Sequence, residues 1–244
     1  MSSQQAQRGS ILVYILIAVI LFGALSYAVT GMMRGAGDSI REEKSGVHIS
    51  EILTYARSVR ETIRILRISN NCEDVQISFE RSPFDGSDPQ YVNTNSPSDF
   101  SCHVFHPSGG GLGYQPVDEI WLDRSKTAES YYGEYLFSGE HGIPNIGTSG
   151  SASDPTMKEI LLIIPWVDRS VCRKINEQLG HIAKGQPIPQ ESGSISLTPF
   201  IGTFGTWALV SENSSIEGKP AGCFAGSTGV WSGSYYFYHL LMAR

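Results

Sequence analysis

The sequence lacks the short motifs that carry most enzyme chemistry. It contains no G-x-S-x-G, P-loop, H-E-x-x-H or G-x-G-x-x-G pattern, and each of these positions a nucleophile, a phosphate or a metal in its class of site. The glycine-rich string at 109–113 has no buried strand before it and no helix start after it, so we interpret it as a loop. The sequence therefore predicts neither a catalytic site nor a cofactor.

Side chains with metal-ligand spacing are also scarce. His103 and His106, with Asp99 nearby, are the nearest approach to a metal-binding group. Pro107 and the glycines after it favour a turn, which brings residues three apart together. We interpret the two imidazoles as exposed loop histidines, and the sequence predicts no metal site.

Basic residues are few in the second, longer part of the chain. From residue 69 to residue 244 there are ten basic and nineteen acidic side chains, a balance of −9. Proteins that bind nucleic acid need clustered Lys and Arg to contact the phosphates. This charge balance excludes nucleic acid as an expected partner.

Cysteine occurs only four times, at Cys72, Cys102, Cys172 and Cys223. No pair has C-x-x-C spacing, which argues against a zinc ribbon or a thioredoxin-type site. An even number of cysteines in an exported region predicts two disulfides, with four reduced core cysteines as the alternative. Three pairings are possible. We favour Cys72–Cys102 with Cys172–Cys223, because each bridge closes a moderate loop within its own half.

Charge is absent altogether from residues 10–29, SILVYILIAVILFGALSYAV. At a rise of ~1.5 Å per residue this segment forms a helix of ~30 Å, about the hydrocarbon thickness of a bilayer. We predict a transmembrane helix over 10–30, preceded by a short leader over 1–9. Three interpretations stay open: a secretory signal cleaved after the small-x-small site at 26–28, a plain single-span anchor, or a prepilin-type leader.

The third interpretation depends on Arg8-Gly9 followed directly by Ser10-Ile11-Leu12-Val13-Tyr14-Ile15-Leu16-Ile17-Ala18-Val19. This segment resembles the N-terminus of the type IV pilin and pseudopilin superfamily, and more loosely that of uncharacterised pilin-like proteins of α-proteobacteria. The resemblance implies cleavage between Gly9 and Ser10 by a prepilin peptidase. It also implies that the apolar segment is kept as the first half of a long helix, with other pilin-like subunits as partners.

Two positions depart from the usual family pattern. Tyr14 stands at the fifth mature position, where the family usually has Glu, and Ser10 stands where Phe or Met is usual. In the family that Glu neutralises the new N-terminus of a neighbouring subunit during assembly, and its absence is tolerated in some minor or tip subunits. The resemblance therefore implies a minor subunit in preference to a major, filament-forming one.

An amphipathic stalk helix is predicted over 31–68. Its apolar residues recur at spacings of three and four, the period of a helix with one buried face. They are Ile49, Ile52, Ala56, Val59, Ile63 and Leu66. We expect this seam to pack on a sheet of the same chain, and the alternative is a seam that meets neighbouring subunits.

The opposite face of the stalk carries one basic stripe, formed by Arg57, Arg60, Arg64 and Arg67. Glu61 can pair with Arg57 and Arg64 at helical spacing. The simpler interpretation is a solvated face. The sharper one is an assembly surface that docks on an acidic head, its own or a neighbour's.

The head, residues 69–244, shows short strand patterns separated by long loops. Predicted strands cover 75–79, 119–122, 134–137, 159–165, 194–197, 203–210 and 235–242. Asp168 is predicted to cap a helix over 169–179 that ends at Gly180. The fold class is therefore α+β, with the long N-terminal helix packed on an antiparallel sheet, as in pilins.

Together these features predict a non-catalytic, membrane-anchored, pilin-like subunit that acts in assembly of a pilus or secretion-system filament, or in surface binding. It would cross the bacterial inner membrane once, with its N-terminus in the cytoplasm. The disulfide-containing head would lie in the periplasm or at the cell surface. The alternative is a standalone exported, membrane-anchored ligand-binding or enzymatic domain.

Overall fold

A computed structural model describes residues 5–84, 86, 90–147, 158–191, 195–205, 210, 213–227 and 232–244, and over 5–12 and 28–48 the backbone alone. The chain divides into two units, residues 1–47 and residues 48–244. A single helix, α1 (Gln5–Ser69), supplies the first unit and the beginning of the second. It covers the predicted transmembrane segment 10–30 and the predicted stalk 31–68.

In the first unit, the described side chains of α1 are apolar and exposed to solvent. From Val13 to Tyr27 every side chain is exposed, Phe22 at 73%. Of the predicted span 10–30 only side chains 13–27 are described, and both side chains of the predicted cleavage site Gly9–Ser10 lie outside the described ones. Within the part of the chain that the structure describes, no helix has both the length and the apolar character needed to cross a membrane.

The second unit is built on a five-stranded sheet. Its strands are β1 (Leu136–His141), β2 (Glu159–Ile164), β3 (Gln190–Glu191), β4 (Ala221–Gly226) and β5 (Tyr235–Met242). They are ordered β1-β2-β5-β4-β3. The antiparallel sheet predicted from the sequence is mixed, because β3 pairs with β4 in parallel while the other pairs are antiparallel. The fold class is α+β.

Both faces of this sheet are buried, which explains its near-continuous apolar strands. Along β2, Ile160, Leu162 and Ile164 belong to one core cluster, while Leu161 and Ile163 belong to a second cluster on the other face. Successive side chains of a strand point to opposite faces, so a strand covered on both sides has no polar alternation. The prediction of a buried strand at 159–165 is confirmed.

The stalk part of α1 packs on the first of these two faces. All six predicted seam residues are buried and belong to the same core cluster as Phe237 of β5. Tyr55 stacks on Tyr135 with ring centroids 4.7 Å apart. Burial of a branched aliphatic side chain contributes ~1.5–3 kcal/mol, so the seam is a major part of the core. The expectation that it packs within its own chain is confirmed.

Two disulfides hold the outer elements, in the pairing that the sequence favours. Cys72–Cys102 closes the loop after the stalk, and Cys172–Cys223 joins α2 (Arg169–Gln178) to β4. Beside the second bridge, the buried Asn176 amide donates to the carbonyl of Cys223 and its oxygen accepts from the Cys223 N–H. Asp168 caps α2 as predicted, and Gly180 follows it with φ +72°.

Several short strand predictions are wrong. A 3-10 helix at Asp74–Gln76 and an isolated bridge from Ser78 to His103 replace the strand expected at 75–79. A second 3-10 helix, Glu119–Trp121, replaces the strand expected at 119–122, because the Asp118 side chain accepts from the N–H of Ile120 and closes a turn.

Other strand boundaries differ from those expected. β1 begins two residues later than predicted, and β4 was not predicted at all. The described parts of 194–197 and 203–210 form no strand, and residues 194 and 206–209 lie outside the described residues. The last strand, 235–242, is confirmed as β5.

Candidate functional site

The candidate site is the basic stripe of the stalk together with the groove beside it. Arg57, Arg60, Arg64 and Arg67 are all exposed, and three of them line the same groove as the seam residue Ile63. Arg64 pairs with Glu61 on the stalk itself at 3.6 Å. Among the described residues, only Arg67 makes an ion pair with the head, at 3.1 Å from Asp74. Within the described part of the head, the other three arginines of the stripe have no carboxylate partner.

A groove of about 920 Å³ lies where the stalk ends beside the last strand. It is lined by Arg60, Ile63, Arg64, Arg67, Ile68, Cys72, Glu73, Asp74, Val75, Leu241, Met242, Ala243 and Arg244. Four arginines face two carboxylates around an aliphatic floor, so the groove has a net positive charge. Such a surface suits an anionic partner that also carries an apolar side chain.

The carboxylate of Asp74 orders the arginines at one end of the groove. Arg244 lies 3.4 Å from it, so Asp74 is shared between Arg67 and Arg244. The Arg244 guanidinium also lies 3.9 Å from the centre of the Phe204 ring, within cation–π range. These contacts hold Arg67 and Arg244, whereas Arg64 pairs with Glu61 on the stalk itself.

The positive field of the stripe reaches a buried histidine in the sheet. His239 lies on β5 and is 5% exposed. Its pKa is lowered to about 4, first by burial and then by repulsion from Arg60 and, more weakly, Arg57. The imidazole is therefore neutral at pH 7. Arginines on the stalk surface thus act electrostatically on the core beneath them.

A second polar group lies in the loop clamped by Cys72–Cys102. His103 Nε2 is 3.3 Å from Glu80 Oε2, and Ser96 Oγ is 3.2 Å from His103 Nδ1. His103 is 4% exposed, which corrects the expectation of an exposed loop histidine. Burial lowers its pKa, and the hydrogen bond to Glu80 opposes that shift.

The connectivity from Ser96 through His103 to Glu80 is that of a serine–histidine–acid relay, but its surroundings are structural. The Ser96 N–H donates to the carbonyl of Asn93, and Glu80 Oε1 accepts from the Gly86 N–H. The Asn93 side chain in turn donates to the carbonyls of Val75 and Ile77. These bonds tie the loop to the end of the stalk and satisfy its buried polar groups.

The structure brings together some of the predicted residues and adds others. Arg60, Arg64 and Arg67 line the groove, while Arg57 lies one turn before it. Glu73, Asp74 and Arg244 were not singled out from the sequence, since no local pattern tells that residue 244 returns to the end of the stalk. Across the described residues, no group of three or more His, Cys, Asp or Glu side chains is arranged to hold a metal ion.

No protein-family model, curated protein or solved structure matches this chain. The groove and its arginines are therefore assigned as the candidate site on their geometry and charge alone. These residues offer cations, two carboxylates and an aliphatic floor, an arrangement suited to binding.

Proposed function

We propose that this chain is a non-catalytic, membrane-anchored, pilin-like subunit of the minor-pilin or pseudopilin type. It acts in assembly of a pilus or secretion-system filament, or in surface binding. The observation that carries the proposal is the two-part helix. Side chains 13–27 of α1 are mostly apolar and all exposed, while the seam from Ile49 to Leu66 is buried on the chain's own sheet.

Exposed apolar side chains on this scale need a non-aqueous environment or a partner, because leaving them in water costs free energy in proportion to their area. A bilayer, and later the helical core of a filament, would supply that environment for residues 10–29. The uncharged sequence of the segment and its start after Arg8-Gly9 support the same assignment. The two disulfides support a head in the periplasm or at the cell surface.

The proposal is tested by the N-terminal sequence of the mature protein isolated from its membrane fraction. We expect the chain to begin at Ser10, because a prepilin peptidase would cut after Gly9. Substitution Gly9→Leu should leave the leader attached, since the proposed cleavage site is lost. A mature chain that begins at Val29 identifies a secretory signal, and an intact Met1 identifies a simple anchor. Either result contradicts the proposal.

The second candidate function is a standalone exported, membrane-anchored ligand-binding domain, which the arginine-lined groove favours. A filament subunit and a ligand-binding domain differ in processing and in self-association. An intact N-terminus together with a chain that stays monomeric in detergent would favour the ligand-binding domain.

A further inference from the structure

A small acidic patch of exposed residues lies on the head, outside the residues that line the groove. It consists of Asp118, Glu119 and Ile120, all exposed, at the start of the 3-10 helix Glu119–Trp121. Ile120 is 54% exposed, although it is a large aliphatic side chain. We call these three residues the acidic knob.

Further carboxylates follow the knob in the sequence, at Asp123 and Glu129. Glu119 and Asp123 both raise the pKa of the Tyr132 hydroxyl, after burial as the main cause, so both lie within electrostatic reach of that ring. Glu129 likewise raises the pKa of the Tyr236 hydroxyl, again after burial as the main cause. Arg124 and Lys126 offset part of this charge, and the balance over residues 118–129 stays negative.

The acidic knob and the groove lie at opposite ends of β5. At the first end, the Val167 N–H donates to the carbonyl of Tyr235, and Val167 bridges to Leu122, next to the knob. At the other end, Leu241 and Met242 line the groove. An eight-residue strand is ~26 Å long at ~3.3 Å per residue. One end of the head is therefore acidic and the other basic.

We propose that the groove binds the acidic knob of a second copy of this chain. Glu119 and Asp118 would face Arg60 and Arg64, and Ile120 would enter between the arginines onto the aliphatic floor. Because the two surfaces differ and lie at opposite ends, each copy offers one of each. Such a contact is heterologous and builds an open array when its rotation does not close. The inference rests on the proposed function and names the head contact that the assembly would use.

Charge and shape favour a second copy over other anionic partners. The knob supplies carboxylates and an exposed isoleucine in one short segment, and the groove supplies cations and an aliphatic floor. Among the described residues no ion pair joins Arg60 or Arg64 to the head of the same chain, and the pair of Arg64 with Glu61 is a long, exposed contact on the stalk that a carboxylate of the knob can replace. Complementary charges of this kind fix partner and register more than they raise affinity.

The first experiment maps the contact by cross-linking. Photo-reactive benzoylphenylalanine replaces Ile120 in the full chain, held in detergent micelles, and cross-linked peptides are identified by mass spectrometry. We expect links from position 120 to residues 60–68 or 241–244 of a second copy. The same probe at Ile201, another exposed isoleucine, is the matched control and should not link to the groove. Links from position 120 to other surfaces alone overturn the inference.

The second experiment exchanges the charges. Arg64→Glu and Glu119→Arg, each alone, should weaken self-association of the full chain roughly tenfold, and the double variant should recover it. Glu217→Arg makes the same charge change as Glu119→Arg outside both surfaces and should have no effect. Association is followed by sedimentation velocity, and circular dichroism confirms the fold of each variant. Failure of the double variant to recover association, with the fold intact, contradicts the inference.

Failure of this inference is distinguishable from failure of the proposed function. A chain that begins at Ser10 and self-associates, but is unaffected by the charge exchange, assembles through other surfaces, and only the inference fails. A chain with an intact Met1 whose position 120 still links to the groove has the contact without the pilin-type processing. In that case the proposed function fails and the contact stands.

Discussion

His239 is the residue at which the charge of the stalk reaches the core. Its pKa in the folded protein is lowered to about 4, by burial and by Arg60 and Arg57, from an ordinary value of 6.5. Between pH 4 and pH 6.5, His239 is protonated in the unfolded chain and neutral in the folded chain. Stability from the neutral imidazole is therefore fully present above pH 6.5 and is lost as the pH falls toward 4.

We expect His239→Gln to remove this loss. Glutamine has a similar volume and no charge at any pH in this range. The free energy of unfolding of the natural chain, relative to the variant, should fall by roughly 3 kcal/mol between pH 6.5 and pH 4. Urea unfolding at several pH values measures it. His181→Gln, at a half-buried histidine after α2, controls for the loss of an imidazole. Parallel pH curves for the natural chain and His239→Gln would show that His239 does not titrate in this way.

Glu159 changes the free energy of unfolding with pH in the opposite direction to His239. The effect of His239 must therefore be measured as the difference between the natural chain and the variant, and not from the pH dependence of the natural chain alone. Burial raises its pKa to about 7, although Oε2 accepts from the Ile143 N–H and two cations oppose the shift. The folded chain then binds a proton that the unfolded chain has released, and stability falls as the pH rises from 4.5 to 7. The two groups partly cancel in the natural protein, and the difference between natural chain and variant isolates His239.

At the scale of elements, the packing of the stalk against the loop after Cys102 depends on one glycine. A Cβ placed on Gly110 would overlap Thr62 Cγ2 of the stalk and lie 2.6 Å from the carbonyl oxygen of Val104. Both neighbours are held, Thr62 by its hydrogen bond to the Ser58 carbonyl and Val104 by its own backbone bonds. Neither can move without separating the loop from the stalk.

Gly110→Ala should therefore destabilise the head by about 1–3 kcal/mol, the usual cost of forcing an extra carbon into packed structure. Gly113→Ala is the matched control, because no atom lies within 4 Å of a Cβ at that position, and its cost should stay within ~0.5 kcal/mol. The midpoint of urea unfolding compares the two. Equal midpoints would mean that the loop does not contact the stalk as described.

The elements that could be predicted from the sequence are those with strong local signals. The apolar seam of the stalk, the uninterrupted apolar run of β2 and the Asp168 cap each specify an element and its buried side without knowledge of its neighbours. Val75–Phe79 shows strand-like alternation too, but Glu73 and Gln76 close a turn there. Period-two alternation indicates which side chains are buried, but it does not show that a partner strand is present to pair with the segment.

Only one wall of the groove could be predicted from the sequence. The arginine stripe follows from helical spacing, since residues three and four apart share a face. The other wall comes from Asp74 and Arg244, which are 170 positions apart in the numbering and meet only because β5 runs back to the end of the stalk. Contacts across such a separation leave no local pattern in one sequence. The His103–Glu80 contact could not be predicted for the same reason, since its two residues are distant in the sequence.

At the scale of the whole molecule, two disulfides cross-link separate parts of the head. One closes the loop between the stalk and the sheet, and the other joins α2 to β4, with sequence separations of 30 and 51. The chain-entropy contribution of a bridge grows only with the logarithm of loop length. Both bridges are thus expected to stabilise the head by similar amounts, about 4 kcal/mol on that account.

Cys72→Ser with Cys102→Ser, and Cys172→Ser with Cys223→Ser, should each lower the free energy of unfolding by about 2–5 kcal/mol. Urea unfolding of the two double variants measures the losses. The control is the natural chain alkylated without reductant, whose mass should show no reactive thiol. Four free thiols in protein isolated from its membrane fraction would contradict both the bridges and the proposed compartment.

The edge strands of the sheet determine whether neighbouring copies can aggregate by pairing their strands. Beyond β1, the N–H groups of Phe200, Gly205 and Val210 donate to carbonyls of Phe137, Gly139 and Gly142, and at the far side β3 is only two residues long. Exposed strand edges recruit strands from other molecules and lead to aggregation. With its first edge occupied and its last one short, the head resists fusion of sheets between neighbours. Copies can be concentrated in one place and joined through side chains, in contacts that salt can dissolve and that leave each fold intact.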